Sequence, residues 1–306
     1  MHVGPLVFDE VLEARPWGGR ALARRAGKRL PPGVPVGESW EISDRNVVRS
    51  GPLAGRTLGD LVRTHSAQLL GRRRAEAFPL LVKLIDAQEW LSVQVHPDDT
   101  LARRLALGPW GKTEAWYILS AASGAEMISG VRPGGAARLG ELARSGEIAG
   151  YLRHARPRTG DAWYCPAGAV HALGPGLLVL EVQQNSDLTF RLYDWGRKGL
   201  DGRPRALHVE ESLRAAGDGS RTVSRCTGRA LRGLGFPARR RVACEKFVMD
   251  EWRIARPVRR HKGRAFEILH VVEGAGVLRD GLWPEARLRR GTTVLMPAGV
   301  AEYEVL

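Results

Sequence analysis

The sequence predicts a mainly β protein that contains two barrels and a few inserted α-helices. Short runs rich in Val, Ile, Leu and Trp are separated by Gly and Pro, a pattern typical of strands in an all-β body. One turn pattern occurs twice, as Gly160-x5-Pro166-x-Gly168 and as Gly291-x5-Pro297-x-Gly299. A repeat at this scale indicates two copies of one structural unit.

The strands and helices follow from local patterns. Apolar runs with turn residues at their ends predict strands over 80–85, 89–95, 113–120 and 177–182. Leu58, Leu61 and Val62 recur at helical spacing within 56–74, as do Leu139 and Leu142 within 136–152. A further short helix is expected over 209–216.

The expected domain organisation is a metal-bearing barrel over 1–216, with helical insertions near 56–74 and 136–152, and a smaller barrel over 242–306. The Gly- and Arg-rich segment 217–241 is the predicted linker. When Gly124 is aligned with Gly274, Glu114 stands opposite Arg264, and aligning Gly168 with Gly299 places His171 opposite Glu302. The second copy is therefore expected to lack metal ligands.

Composition limits the class of protein. With 306 residues, 43% of them hydrophobic, the chain can bury a large core. It has no apolar run long enough to cross a bilayer and no secretory signal, so we expect a cytoplasmic protein without a membrane partner. Its three cysteines form no CxxC pair, which favours free thiols. The net charge of +14 permits nucleic-acid binding, but the basic residues are scattered, so no nucleic-acid partner is expected.

Three segments together indicate a metal site. Alternate residues of a strand share a face, so Ser92, Gln94 and His96 point one way, and Lys112, Glu114 and Trp116 do the same on another strand. His171 follows a Gly- and Pro-containing turn. Each residue alone is more often an ordinary strand residue, but two imidazoles and one carboxylate with an open position are typical of catalytic zinc. The same ligands also suit non-haem iron.

These motifs resemble the type I mannose-6-phosphate isomerases, a cupin-fold family of zinc-dependent aldose-ketose isomerases, and the length resembles their short bacterial branch. The resemblance extends over most of the chain, through Arg15-Pro16-Trp17-Gly18-Gly19, Gly37-Glu38-Ser39-Trp40-Glu41-Ile42-Ser43, Phe78-Pro79-Leu80-Leu81-Val82-Lys83, Gln94-Val95-His96-Pro97-Asp98-Asp99, Gly111-Lys112-Thr113-Glu114, Glu181-Val182-Gln183-Gln184-Asn185-Ser186-Asp187 and Arg191. It implies two cupin-type jelly-roll barrels and a sugar-phosphate substrate.

The resemblance also implies roles for individual residues. Zinc would be held by Gln94, His96, Glu114 and His171. Arg191 would be the catalytic arginine, with Lys112 and Glu181 beside the reacting carbons and Ser92, Lys83 and Arg197 near the phosphate.

Three functions remain open at this point. The first is interconversion of mannose 6-phosphate and fructose 6-phosphate through a cis-enediolate, with Lys112 and Glu181 as alternative proton carriers. An iron-dependent oxygenase of the cupin fold would share the two histidines and the glutamate. A non-catalytic, metal-bearing sugar-binding module would keep the same pocket. The oligomeric state is left open.

Overall fold

The computed structural model describes residues 2–306, and strands dominate it. The strands are β1 (Leu6–Val7), β2 (Val11–Gly19), β3 (Val36–Ile42), β4 (Leu80–Ala87), β5 (Val93–Val95), β6 (Glu114–Ala121), β7 (Met127–Val131), β8 (Leu152–Ala155), β9 (Ala162–Cys165), β10 (Ala172–Leu173), β11 (Leu177–Gln184), β12 (Phe190–Tyr193), β13 (Ser224–Cys226), β14 (Arg229–Leu231), β15 (Ala238–Ala243), β16 (Val248–Trp252), β17 (Val258–His261), β18 (Glu267–His270), β19 (Ala275–Arg279), β20 (Ala286–Arg289), β21 (Thr293–Met296) and β22 (Glu302–Val305).

Five α-helices and two short 3-10 helices interrupt the strands in the described residues. The α-helices are α1 (Ala21–Ala26), α2 (Leu58–Leu70), α3 (Asp99–Arg104), α4 (Leu139–Ser145) and α5 (Val209–Ala216), and the 3-10 helices are Ala136–Arg138 and Glu147–Tyr151. Within residues 2–306, none of these helices combines the length and the apolar character needed to cross a membrane.

The first barrel is based on a seven-stranded antiparallel sheet in the order β13-β9-β6-β11-β4-β3-β2. Two smaller sheets, β10-β7-β8 and β12-β5, complete it. At the centre, β11 pairs with both β4 and β6, and all eight residues of β4 are buried. The strands predicted over 80–85, 113–120 and 177–182 are confirmed as β4, β6 and β11.

The predicted strand over 89–95 is shorter in the structure, where only β5 remains. Just before it, the N–H of Leu91 donates to Leu173 O, at the end of β10, over 2.8 Å, and its C=O accepts from the side-chain Nε1 of Trp195 over 2.8 Å. Because these partners do not form a ladder, the apolar character of the segment reflects burial rather than strand pairing.

The helices follow their patterns, with a kink at His65 (φ −129°, ψ 30°) inside α2 and an interruption in the second insertion. Thr57 accepts a hydrogen bond from the N–H of Asp60 and caps α2, which ends at Gly71 with a left-handed φ of 69°. Helix α5 has the predicted bounds. The helix predicted over 136–152 is interrupted at Gly146, whose φ of 79° ends α4 and separates it from the second 3-10 turn.

The C-terminal part forms the second barrel, with sheets β1-β21-β18 and β17-β22-β19-β20, and a neighbouring sheet β14-β15-β16. The N-terminal strand β1 therefore pairs with β21, near the other end of the chain. The segment 217–241, expected as a linker, contains β13, β14 and the start of β15, and β13 pairs with β9 of the first barrel. Its side chains are largely exposed, so the strands lack the apolar alternation that a sequence search relies on. The domain boundaries stay a prediction.

Strand pairing changes the alignment of the two copies. Glu114 lies opposite Cys165 in the first barrel, and Glu267 lies opposite Met296 in the second. Cys165 and Met296 each precede the proline of the repeated turn, so Glu114 corresponds to Glu267 and not to Arg264. The alignment of Gly124 with Gly274 was wrong for Glu114. These glycines lie in turns after the two strands, and a turn glycine does not determine how the residues of the preceding strand pair with a neighbouring strand.

Candidate active site

Backbone pairing brings the two histidines together. Gln94, on β5, and His171, just before β10, exchange two backbone hydrogen bonds of 2.8 and 3.0 Å. The N–H of Gly168 donates to His96 O over 2.8 Å, which holds the repeated turn against the end of β5. The centres of the two imidazole rings are consequently 4.7 Å apart. Glu114 opens β6 and faces them.

The three predicted protein ligands form one cluster. His96 Nε2 lies 3.3 Å from Glu114 Oε1, and His171 Nε2 lies 3.7 Å from Glu114 Oε2. All three side chains are buried. Within residues 2–306, this is the only group of three or more His, Cys, Asp or Glu side chains whose ligand atoms all lie within 4.8 Å of one another.

The outer nitrogens of the imidazoles fix their tautomers. His96 Nδ1 lies 2.9 Å from Leu188 O, and His171 Nδ1 lies 3.0 Å from Ala169 O. A carbonyl oxygen only accepts, so each Nδ1 carries the hydrogen and each Nε2 keeps a lone pair towards Glu114. Burial, together with the Lys112 ammonium, lowers the pKa of His96 to about 3, and burial lowers the pKa of His171. Both rings are neutral at pH 7.

Glu114 supplies a negative charge whose carboxylate oxygens lack hydrogen-bond donors in the described residues. Burial on its own would raise its pKa, but the nearby Lys112 ammonium holds the pKa of Glu114 well below its usual range. The Lys112 ammonium lies 2.6 Å from Oε1 and 3.1 Å from His96 Nε2. Neither carboxylate oxygen nevertheless has a hydrogen bond of acceptable geometry. A buried anion beside two Nε2 lone pairs fits a divalent cation.

Gln94 and Ser92 lie on the same strand as His96. Gln94 is partly exposed, and its side-chain Nε2 donates to Ser92 Oγ over 3.2 Å. The amide oxygen of Gln94 accepts no hydrogen bond from a side chain in residues 2–306, so it is available to a ligand. Ser92 is buried.

Glu181 lies at the centre of β11, opposite Lys83 on one side and Trp116 on the other. Its carboxylate accepts from Trp116 Nε1 over 2.7 Å and lies 3.1 Å from Lys83 Nζ. Burial and the nearby charge of Glu114 raise the pKa of Glu181. Lys83, which the sequence suggested as a phosphate contact, thus forms an ion pair with Glu181 in this structure.

Glu38 is a buried charge next to the site that the sequence reasoning did not single out. Its carboxylate accepts from Trp40 Nε1 over 2.8 Å and from Arg15 over 3.1 Å. Burial would raise its pKa, but Lys83 and Arg15 lower the pKa of Glu38 to about 2. The sequence did contain a signal for Glu38, because this glutamate lies in a short apolar segment with Val36, Trp40 and Ile42. A charge in a buried strand needs a partner.

Arg191 lies opposite Gln94 in the β12–β5 pair, and residues directly opposite in a sheet project to the same face. Its guanidinium donates to Ala206 O over 2.8 Å, while Nε is buried without a hydrogen-bond partner. No carboxylate of residues 2–306 lies within 4.0 Å of it. Burial and the neighbouring Arg205 lower its pKa.

Positive charge exceeds negative charge around Arg191. Asp194 pairs with Arg197 over 2.7 Å and with Arg205 over 2.5 Å. Arg197 also donates to Trp90 O over 2.5 Å. Asp194 thus serves two guanidiniums, and the exposed Glu89 lies 3.7 Å from Arg197, while Arg191 has no carboxylate within 4.0 Å in the described residues. Three guanidiniums against two carboxylates leave an excess of positive charge that is suited to an anion.

Known proteins share this arrangement of sequence and fold. Residues 6–116 match the model of the type I phosphomannose isomerase catalytic domain. The chain is 34% identical to a mannose-6-phosphate isomerase of Streptococcus mutans, covering 98% of this chain and 94% of that one. It is 35% identical to the mannose-6-phosphate isomerase ManA of Bacillus subtilis, covering 100% and 96%.

A solved structure agrees over nearly the same extent. The crystal structure of mannose 6-phosphate isomerase from Bacillus subtilis superposes with a TM-score of 0.90 at 34% identity, covering 99% of this chain and 96% of that one. The predicted fold class, mainly β with two cupin-type barrels, is thereby confirmed. Identity of this degree across the whole length, together with the shared fold, shows that the chain belongs to the type I phosphomannose isomerases.

Proposed function

We propose that this chain interconverts mannose 6-phosphate and fructose 6-phosphate as a metal-dependent aldose-ketose isomerase. The observation that carries the proposal is the cluster of His96, Glu114 and His171, with both Nε2 lone pairs turned towards a buried carboxylate. Membership of the phosphomannose isomerase family supports the substrate. The free cysteines Cys165 and Cys226 support placement in a reducing compartment, the cytoplasm.

The metal in this proposal is zinc, held by Gln94, His96, Glu114 and His171. Two neutral imidazoles and a carboxylate are ligands that zinc prefers, and the amide oxygen of Gln94 would supply a fourth. When bound, zinc would supply Lewis-acid polarisation of the sugar oxygens.

Arg191 is proposed to stabilise the negative oxygen of the cis-enediolate. Isomerisation moves a proton between adjacent carbons and leaves charge on an oxygen, so a preorganised cation is needed there. The support is that Arg191 lies opposite Gln94 and has no carboxylate partner within the described residues. A guanidinium already committed to an ion pair would be less available.

Glu181 and Lys112 are proposed to lie beside the reacting carbons. Glu181 is held by Trp116 and Lys83, and its raised pKa favours proton exchange. Replacing Glu181 by Gln and Lys112 by Met tests each separately. The variant that loses exchange of the substrate carbon-bound hydrogen with solvent deuterium identifies the proton carrier.

The phosphate is proposed to bind where positive charge is in excess. Arg197 and Ser92 would contact it, and the buried Lys83 ammonium would contribute positive charge nearby. Arg197 is supported by its place near Arg191 and Arg205, where three guanidiniums lie near two carboxylates, Asp194 and the exposed Glu89. A dianionic phosphate would balance this charge.

The deciding experiment is a coupled assay of fructose 6-phosphate formation from mannose 6-phosphate. We expect turnover with metal bound, loss of turnover after metal is stripped with a chelator, and recovery when zinc is returned. Full activity in verified metal-free protein would contradict the metal's role. Oxygen uptake measured in parallel distinguishes the isomerase from an iron-dependent oxygenase, and binding without turnover would indicate a sugar-binding module.

A further inference from the structure

The carboxylate of Asp99, the first residue of α3, collects donors from three separate parts of the chain. Asp99 Oδ1 accepts from the backbone N–H of Gly111 and from Gln184 Nε2, each over 2.8 Å. Asp99 Oδ2 lies 2.7 Å from Lys246 Nζ. The preceding Asp98 caps α3 by accepting from Leu101 N, so helix capping does not require Asp99.

Two of these donors, Gly111 and Gln184, connect Asp99 to the loop that precedes β6. Gly111 lies in this loop, immediately before Lys112. Gln184 accepts from Thr113 N through its side chain over 3.1 Å and donates its own N–H to Thr113 O over 3.3 Å. Asp99 therefore holds the loop directly at Gly111 and, through Gln184, at Thr113, the two residues that flank Lys112.

The loop has little room to move. Lys112 N donates to Pro97 O over 2.9 Å. A Cβ added at Gly111 would lie 2.4 Å from Pro97 O, which shows how closely the backbones approach. Lys112 Nζ lies 2.6 Å from Glu114 Oε1, so a displacement of the loop would be transmitted to the metal ligand.

The third donor comes from a distant segment. Lys246 lies in the turn between β15 and β16, and 147 positions separate it from Asp99 in the sequence. Both side chains are partly buried, 33% exposed for Lys246 and 21% for Asp99, so the pair is only partly screened by water. It links the β15–β16 turn directly to α3 and, through Asp99, to the loop carrying Lys112.

We propose that Asp99 and Lys246 are positioning residues that hold Lys112 and Glu114 in place for the reaction. The ion pair restrains Asp99, Asp99 restrains Gly111 and Gln184, and these restrain the loop. This inference rests on the proposed roles of Glu114 at the metal and Lys112 beside the substrate.

The test uses the metal-loaded full chain with Asp99→Ala, Lys246→Met and Lys246→Arg. Asp250→Asn is the matched control because it breaks a partly exposed ion pair, Arg240 to Asp250 at 2.9 Å, on the same two strands. Four quantities are measured: kcat and KM for mannose 6-phosphate, zinc affinity by chelator competition, the unfolding temperature, and hydrogen exchange at the Gly111 amide.

We expect Asp99→Ala, which removes the acceptor for Gly111 and Gln184, to lower kcat and weaken zinc binding by on the order of tenfold, the lower end of the range for groups that orient metal ligands. KM should stay within about twofold, since no proposed phosphate contact changes. Exchange at Gly111 should become faster. Lys246→Met should change kcat, zinc affinity and Gly111 exchange in the same direction. Lys246→Arg keeps the positive charge, so these quantities should stay near their wild-type values, as they should in Asp250→Asn.

Native kcat and zinc affinity in folded Asp99→Ala would overturn the positioning role, even if exchange at Gly111 increased. Equal losses in Asp250→Asn would also overturn it, because the effect would then be general destabilisation. Failure of the proposed function is recognised differently: the wild-type chain would then isomerise mannose 6-phosphate without metal or would not isomerise it at all.

Discussion

Two buried carboxylates of the site, Glu114 and Glu181, have pKa values shifted in opposite directions. The Lys112 ammonium lowers the pKa of Glu114, while burial and the charge of Glu114 raise the pKa of Glu181. Separating the pKa values of neighbouring acids gives them different roles at one pH. One carboxylate is thus suited to hold a cation and the other to exchange a proton.

Removing the guanidinium of Arg191 should reduce turnover. We predict that Arg191→Ala lowers kcat by on the order of a hundredfold or more, the usual loss for one preorganised charge-stabilising donor. Steady-state kinetics check this, with zinc content and the unfolding temperature as controls for the site and the fold. Near-native kcat in a folded, zinc-loaded variant would remove Arg191 from the chemistry.

His270 should make the stability of the protein depend on pH. Burial and the Lys28 ammonium lower the pKa of His270 to about 3, and its Nδ1 lies 2.9 Å from Thr293 Oγ1. The unfolded chain protonates near its usual pKa of about 6.5, so this contribution is complete above that pH and declines as pH falls towards about 3.

We therefore predict that the unfolding free energy of the wild type falls between pH 6.5 and 4 more steeply than that of His270→Gln. The difference is at most about 1.4 kcal/mol per pH unit, the value for one proton. Urea unfolding at several pH values measures it. Parallel pH dependences in the two proteins would show that His270 is not held neutral.

At the scale of elements, β3 connects the site with the second barrel. All seven of its residues are buried. Glu38 is near enough to Lys83 for that ammonium to lower its pKa, whereas Glu41 accepts from Lys28 Nζ over 2.6 Å and from Thr293 Oγ1, on β21, over 2.9 Å. Lys28 also donates to Gly291 O over 3.0 Å, in the repeated turn of the second barrel. One strand thereby couples the two cores.

We predict that Glu41→Gln destabilises the protein by about 3–5 kcal/mol, because it leaves the buried Lys28 ammonium without its counter-charge. Chemical unfolding measures the loss. Glu141→Gln is the control, since Glu141 pairs with Arg138 on an exposed helix face and should change stability far less. Similar losses in the two variants would mean that Lys28 finds another partner or reaches solvent.

At the scale of the whole molecule, the two barrels share a fold but not a ligand set. Glu267, which corresponds to Glu114, is bound by Arg260 and by Tyr303 Oη, each over 2.7 Å. Glu302, which corresponds to His171, pairs with the exposed His261. An arginine repels a cation, so the carboxylate at this position is committed to the core of the second barrel.

We predict one tightly bound metal ion per chain, held by the first barrel. Metal analysis should give a stoichiometry near one, and His96→Ala combined with His171→Ala should empty the protein. His261→Ala is the control and should retain the ion. Two ions per chain, with one surviving the double substitution, would show that the second barrel also binds metal.

The sequence by itself determined the elements and the candidate ligands that depend on local patterns. The strand from Leu80 and the helix Val209–Ala216 follow from the spacing of apolar residues and from the turn residues around them. His96, Glu114 and His171 could be identified because strand alternation and a Gly-Pro turn specify the direction of a side chain within a few residues.

Only the tertiary structure decided which distant residues meet. The pairing of β1 with β21, the position of Glu267 opposite Met296 and the contact of Asp99 with Lys246 each join segments or set a register that no local period encodes. The same holds for Lys83, whose partner Glu181 lies on a neighbouring strand. Strand register and buried ion pairs depend on long-range packing, in which charges find partners only after the sheet has formed.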